Sequence, residues 1–113
     1  MDIYFKTKKL QKLCSQEILA TREFGAKSAR KLQQRLMELQ AADTLDDISK
    51  LPPARCHELK GNRKGQLAVD LAEGFRLVFI PAANPVPTRE DGGLDWRQVT
   101  EIEIIAIENY HKK

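Results

Sequence analysis

Two histidines, His57 and His111, are the only imidazoles in the chain, and each stands beside residues suited to phosphate chemistry. His57 opens the run His57-Glu58-Leu59-Lys60-Gly61, and His111 follows Asn109-Tyr110. Arg76 lies between them in an apolar stretch. Histidine and tyrosine transfer protons. Lysine and arginine hold phosphate and stabilise charge that develops in a transition state. A tyrosine or histidine ring also stacks on an unpaired base. His57, Lys60, Arg76, Tyr110 and His111, with no carboxylate expected among them, therefore suit a phosphodiester. Each also has an ordinary role. Arg76 in an apolar strand can send its guanidinium to solvent, Lys60 beside Gly61 is common turn composition, and Glu58 and Glu108 read as surface charges or, alternatively, as groups that orient a histidine.

Bringing such distant residues together requires a sheet, and the hydrophobic pattern supplies one. Residues 2–6 read as a short strand. Leu10, Leu13, Cys14 and Ile18 make one helical stripe over 7–21. Gly25 breaks it. Ala29, Leu32, Leu36 and Leu39 then line a second helix over 26–41, with Lys27, Arg30, Lys31 and Arg35 assigned to other faces. The short Gly-containing link predicts an antiparallel helix pair. Thr44 reads as a helix cap with Asp46 and Asp47 near the positive end of a turn, and Pro52-Pro53 stops it. From Arg55 the period becomes two. Strands are expected over 56–60, around Leu67, Val69 and Leu71, over 75–80 with Phe75, Leu77 and Phe79 on one face, and over 99–107. In the last strand Ile102, Ile104 and Ala106 are expected opposite Ile105 and Ile107. Residues 81–97 read as a long exposed loop. The expected fold class is α+β: an N-terminal strand and a two-helix hairpin packed on a small antiparallel sheet, as one domain over 1–113.

Composition narrows the function. The 113 residues are 42% hydrophobic and 31% charged, a globular balance. No apolar run approaches the roughly 20 residues that span a bilayer. The N-terminus lacks the order of a secretory signal, so a cytoplasmic protein without a membrane partner is expected. Net charge is +3, but residues 1–42 hold nine basic and four acidic side chains. That asymmetry suggests a polyanionic or acidic partner. Cys14 and Cys56 have no metal or redox spacing and are expected as reduced thiols. No metal site and no cofactor are expected.

The run His57-Glu58-Leu59-Lys60-Gly61-Asn62-Arg63-Lys64-Gly65, a following strand, Gly74-Phe75-Arg76-Leu77-Val78-Phe79, and the closing Asn109-Tyr110-His111 together resemble the HigB-type killer protein branch of the RelE/ParE toxin superfamily. The resemblance is densest over 55–80 and 101–111, and the strand–helix–helix opening agrees with it. It implies a toxin of a bacterial type II toxin–antitoxin module, an mRNA interferase that cuts messages in the ribosomal A site. It also implies a helix-turn-helix antitoxin that neutralises the toxin and joins it in repressing the operon. On that resemblance the catalytic positions are His57, Lys60, Arg76, Tyr110 and His111, with Asn109 beside them.

The implied reaction is metal-independent. The RNA 2′-OH attacks the adjacent phosphate and leaves a 2′,3′-cyclic phosphate and a 5′-OH. One histidine acts as base and the other as acid, in an order the resemblance leaves open. Lys60 and Arg76 hold the phosphate, and Tyr110 orients the nucleotide or shares in proton transfer. Lys8, Lys9, Lys12, Lys27, Arg30, Lys31 and Arg35, with Arg63 and Lys64, are expected to grip RNA. Two features depart from the pattern: position 109 is Asn where many relatives carry Asp, and the 81–98 loop is long. The alternative is a non-catalytic member of the same superfamily, either a gyrase poison or a co-repressor with its antitoxin. The gyrase-poisoning branch generally lacks the His, Lys, Tyr and His set.

Overall fold

A computed structural model describes residues 1–110. The chain runs β1 (Asp2–Phe5), α1 (Lys8–Ser15), α2 (Glu17–Phe24), α3 (Ala26–Ala41), α4 (Leu45–Ser49), β2 (His57–Glu58), β3 (Leu67–Asp70), β4 (Phe75–Pro81) and β5 (Glu101–Asn109). Single 3-10 turns lie at Pro52–Ala54, Gly61–Arg63 and Trp96–Gln98. The strands form one sheet in the order β1-β5-β4-β3-β2. The α+β class is as expected, but the sheet is mixed rather than antiparallel. The N-terminal strand joins it at one edge, parallel to β5, with Ile3 opposite Ile102 and Phe5 opposite Ile104. Among the described residues no helix is long and apolar enough to cross a membrane.

Caps set the helix limits. Thr7 Oγ1 accepts the Leu10 N–H at 3.1 Å and starts α1. Gly25 sits at φ 87°, where a side chain would be strained, and turns α2 into α3. At the start of α4 the Asp47 carboxylate accepts the Thr44 N–H at 3.4 Å and the Asp43 N–H at 3.1 Å. The helix expected over 7–21 is instead two, because Gln16 takes extended dihedrals between α1 and α2. That break rotates the buried face. Ile18 is left 73% exposed, and Ala20 is buried in its place.

One core lies between the helices and one face of the sheet. Cys14, Ala20, Ala29, Leu32 and Leu39 from α1–α3 pack against Leu67, Val69, Leu77, Phe79, Ile102 and Ile104. Phe24 meets Phe75 edge-on, with centroids 5.2 Å apart. Burial pushes the thiols of Cys14 and Cys56 up to about 12, with Glu58 adding to the effect at Cys56, so both stay protonated at neutral pH.

The last strand corrects the expected alternation. Val78 pairs with Ala106, but Phe79 pairs with Ile104, so Ile105 is an extra residue in a β-bulge. Beyond it Ile107 joins Ile102 and Ile104 on the core side, opposite Leu77. Ala106 and Glu108 turn to the other face. The strand expected over 56–60 shrinks to His57 and Glu58, because Lys60 leads directly into a 3-10 turn. The 81–97 segment is not wholly irregular. It holds a Thr88–Leu94 bridge, and Trp96 donates to Glu58 at 3.0 Å.

Candidate functional site

The sheet face turned away from the helices carries the chemistry. Strand pairing aligns Asp70, Arg76 and Glu108 across β3, β4 and β5, and in the next row His57, Ala68, Val78 and Ala106. Paired residues in an antiparallel ladder share a face, so these side chains project together.

Arg76 is the centre of the cluster. Its side chain is 15% exposed. Its Nε and Nη2 each reach Glu108 Oε1 at 3.1 Å. Its guanidinium carbon lies 5.0 Å from the centroid of the Tyr110 ring, a cation–π contact. Tyr110 follows β5 and is held by its N–H, which donates to the Gly74 carbonyl at 3.2 Å. Asn109 faces away from this cluster, with its side-chain amide donating to the Glu73 carbonyl at 3.4 Å.

Two further arginines converge on the same place. Arg63, in the β2–β3 connection, donates to Gln66 Oε1 at 2.8 Å and reaches over the sheet to Glu108 Oε1 at 2.7 Å. Arg55 precedes β2 and forks onto Asp70, Nε to Oδ2 at 2.6 Å and Nη2 to Oδ1 at 3.0 Å. The hydrogen bond that Arg55 donates to Asp70 raises the Arg55 pKa, and a weaker one with Tyr110 adds to it. Arg55 adopts left-handed dihedrals, φ 46° and ψ 51°. For a non-glycine residue that conformation costs on the order of 1–2 kcal/mol, and here the Asp70 fork fixes it.

His57 is tied to the same segment. Its Nδ1 lies 2.7 Å from the Arg55 carbonyl oxygen. A carbonyl only accepts, so in the neutral ring Nδ1 carries the hydrogen and Nε2 keeps the lone pair.

The expected catalytic residues are thus placed unevenly. Arg76 and Tyr110 touch, and His57 is linked to them through Arg55. Lys60 is exposed at the start of the Gly61–Arg63 turn and makes no ion pair among the described residues. His111 lies outside the described residues. The expectation that no carboxylate stands among them is corrected: Asp70 and Glu108 do, and Glu108 is no simple surface charge. Among the described residues no group of three or more His, Cys, Asp or Glu is placed to hold a metal ion.

The expected RNA grip needs a larger correction at Arg35, which is 3% exposed. It donates to the Asp70 carbonyl at 2.8 Å, the Pro53 carbonyl at 2.8 Å and Glu38 at 3.0 Å. Its place was readable, since it stands three residues after Leu32 and four before Leu39 on the buried face. It braces the two segments that flank Arg55. Lys8, Lys9, Lys12, Lys27 and Arg30 are exposed and Lys31 is half-buried, but they belong to the helical layer behind the sheet. Lys9 pairs with Glu23 and Lys27 with Glu73, each at 3.7 Å. Lys64 is exposed beside Arg63.

Glu108 makes the cluster sensitive to pH. Partial burial alone raises its pKa, but hydrogen bonds and charge from Arg63 and Arg76 outweigh it and hold the carboxyl below its usual value of 4.5. A folded pKa below the unfolded one means that the stabilisation is present above that value and is lost as pH falls through the folded value. Urea midpoints of the native chain are expected to drop below about pH 4.5, and Glu108→Gln is expected to lower the midpoint at pH 7 and flatten the acid limb. An unchanged acid limb in that variant rules out Glu108 as the source.

Compared with known protein families and with curated proteins, the chain matches none.

Proposed function

We propose that the chain is a HigB-like toxin of the RelE/ParE superfamily, a ribosome-dependent mRNA endonuclease that arrests growth until an antitoxin neutralises it. The observation that carries this reading is the stacking of Arg76 on Tyr110, beside Arg55 and Arg63, on the sheet face turned away from the helices. The motif resemblance over 55–80 and 101–111 supports it, as does the order of strand, helices and sheet. The protein acts in the cytoplasm, where translated messages are, with a helix-turn-helix antitoxin as its partner.

The chemistry follows from the groups present. Arg76 uses Nε and Nη2 on Glu108, which leaves Nη1 to hold a non-bridging phosphate oxygen. Arg63 is spent on Gln66 and Glu108 and supplies field rather than a contact. His57 Nε2 takes the proton of the 2′-OH as the 2′-oxygen attacks phosphorus. The bond to the 5′-oxygen breaks, and that oxygen receives a proton from His111 or Tyr110. Tyr110 stacks on the base next to the cut, and Lys60 meets the phosphate on its outer side. Glu108 and Asp70 position guanidiniums and touch no reacting atom. The exposed helix lysines contact ribosomal RNA at a second surface.

The test is induction in a bacterial host with mapping of mRNA 5′ ends. Growth arrest is expected with new 5′-OH ends inside translated messages, and both are expected to vanish in His57→Ala, Arg76→Ala and His111→Ala. Arrest with DNA damage and intact messages identifies a gyrase poison instead. No arrest leaves only a co-repressor.

A further inference from the structure

The sheet has two outer edges, and they differ. The β2 edge is two residues long and is preceded by the left-handed Arg55. The β1 edge is longer and, among the described residues, no strand pairs with it. On its inner side the Asp2 N–H donates to Thr100 and the Lys6 N–H to Ile104. In a parallel ladder alternate residues face the neighbour, so Ile3 and Phe5 turn their N–H and C=O groups outward. A row of outward backbone groups is a template for another strand. Beside it runs a groove of about 870 Å³, lined by Ile3, Phe5, Cys14, Leu36 and Met37 among others. Tyr4 is 50% exposed and Met37 69%.

We propose that a second copy of this chain docks there, with the two β1 strands antiparallel about a twofold axis at Tyr4. The register is fixed by the strand's own residues. Ladder bonds require outward residues to face outward residues, and Ile3 against the partner's Phe5 uses all of them. That register sets Asp2 opposite the partner's Lys6 and Tyr4 opposite the partner's Tyr4. Registers shifted by two residues in either direction set Asp2 or Lys6 against Tyr4 and lose the charge match. Asp2, Tyr4 and Lys6 are also the residues whose backbone is engaged with β5, so they fall in the non-hydrogen-bonded pairs, where side chains approach most closely. Asp2 and Lys6 are exposed and make no ion pair among the described residues, so both are available. An isologous contact of this kind closes on itself and uses the β1 edge of both copies, leaving only the two-residue β2 edges outermost. The sheet becomes continuous across both copies, and Leu36 and Met37 from each cover the groove.

Sedimentation equilibrium over a concentration series tests this on the native chain, Asp2→Lys, Lys6→Asp and the double swap Asp2→Lys/Lys6→Asp. The native chain is expected as a dimer of twice 12.9 kDa. Each single change puts like charges opposite one another at two symmetric places and is expected to weaken association about tenfold or more. The swap restores opposite charges and is expected to return the affinity to within about threefold of native. A native chain that is monomeric up to about 0.5 mM, where even a millimolar contact begins to populate, overturns the proposal. So does a dimer that ignores both single changes, or one that the swap does not rescue.

Discussion

Arg76→Ala is expected to lower the rate of message cleavage on the ribosome by roughly 10²–10³-fold, the loss usual when one preorganised donor to a developing negative charge is removed. The size follows from how Arg76 is held. It is mostly buried, forked onto Glu108 and stacked on Tyr110, so it is in position before substrate arrives. Arg76→Lys keeps the charge but loses the planar fork that meets carboxylate and phosphate together, and only a part of the rate is expected to return. Purified protein, ribosomes carrying a defined message, and single-turnover conditions give the measurement. A variant within about threefold of the native rate removes Arg76 from the phosphate site. Urea unfolding of the same variant separates lost chemistry from lost structure, because Arg63 still pairs with Glu108.

Arg35→Met is expected to destabilise the fold by about 3–5 kcal/mol, the usual loss when one partner of a buried ionic network is removed. Two backbone carbonyls, of Pro53 and Asp70, lose the Arg35 donors at once, and Glu38 loses its ion-pair partner while keeping the hydrogen bond from Gln34. For a domain of this size that corresponds to a fall in Tm of roughly 10–20 °C. Arg35→Lys is expected to recover little, because one ammonium cannot reach three acceptors in the plane that the guanidinium spans. The control is Arg30→Ala on the exposed side of the same helix, expected within about 0.5 kcal/mol of native. If Arg35→Met matches that control, the buried network does not brace the sheet.

Elements that depend on local pattern were legible in the residues. The second long helix, the Thr44 cap, and the inward Phe75, Leu77 and Phe79 follow from periodicity and capping. Features set by contacts distant in sequence were not. The break at Gln16 has no glycine or proline to announce it. The parallel pairing of β1 depends on where β5 ends up, not on any residue in β1. Arg55 lacked any signal, since its left-handed dihedrals are imposed by a fork to Asp70 fifteen residues later. Glu108 looked like a solvated charge because nothing near it in sequence reveals Arg63 and Arg76. Arg35 is different: its spacing to Leu32 and Leu39 points inward, while its charge alone points to solvent, and position decides.

The bulge at Ile105 sets the phase of everything that follows it. A straight β5 would turn Glu108 and Tyr110 into the helical layer and bring Ile107 out among the arginines. Changes in chain length within β5 before residue 106 are therefore constrained by parity. Removing or adding one residue inverts the two faces of the strand's end, whereas a change of two keeps them. A change in the length of the 81–98 loop, which lies before β5, leaves that phase untouched, whereas a single-residue insertion or deletion inside β5 between the bulge and its end inverts it.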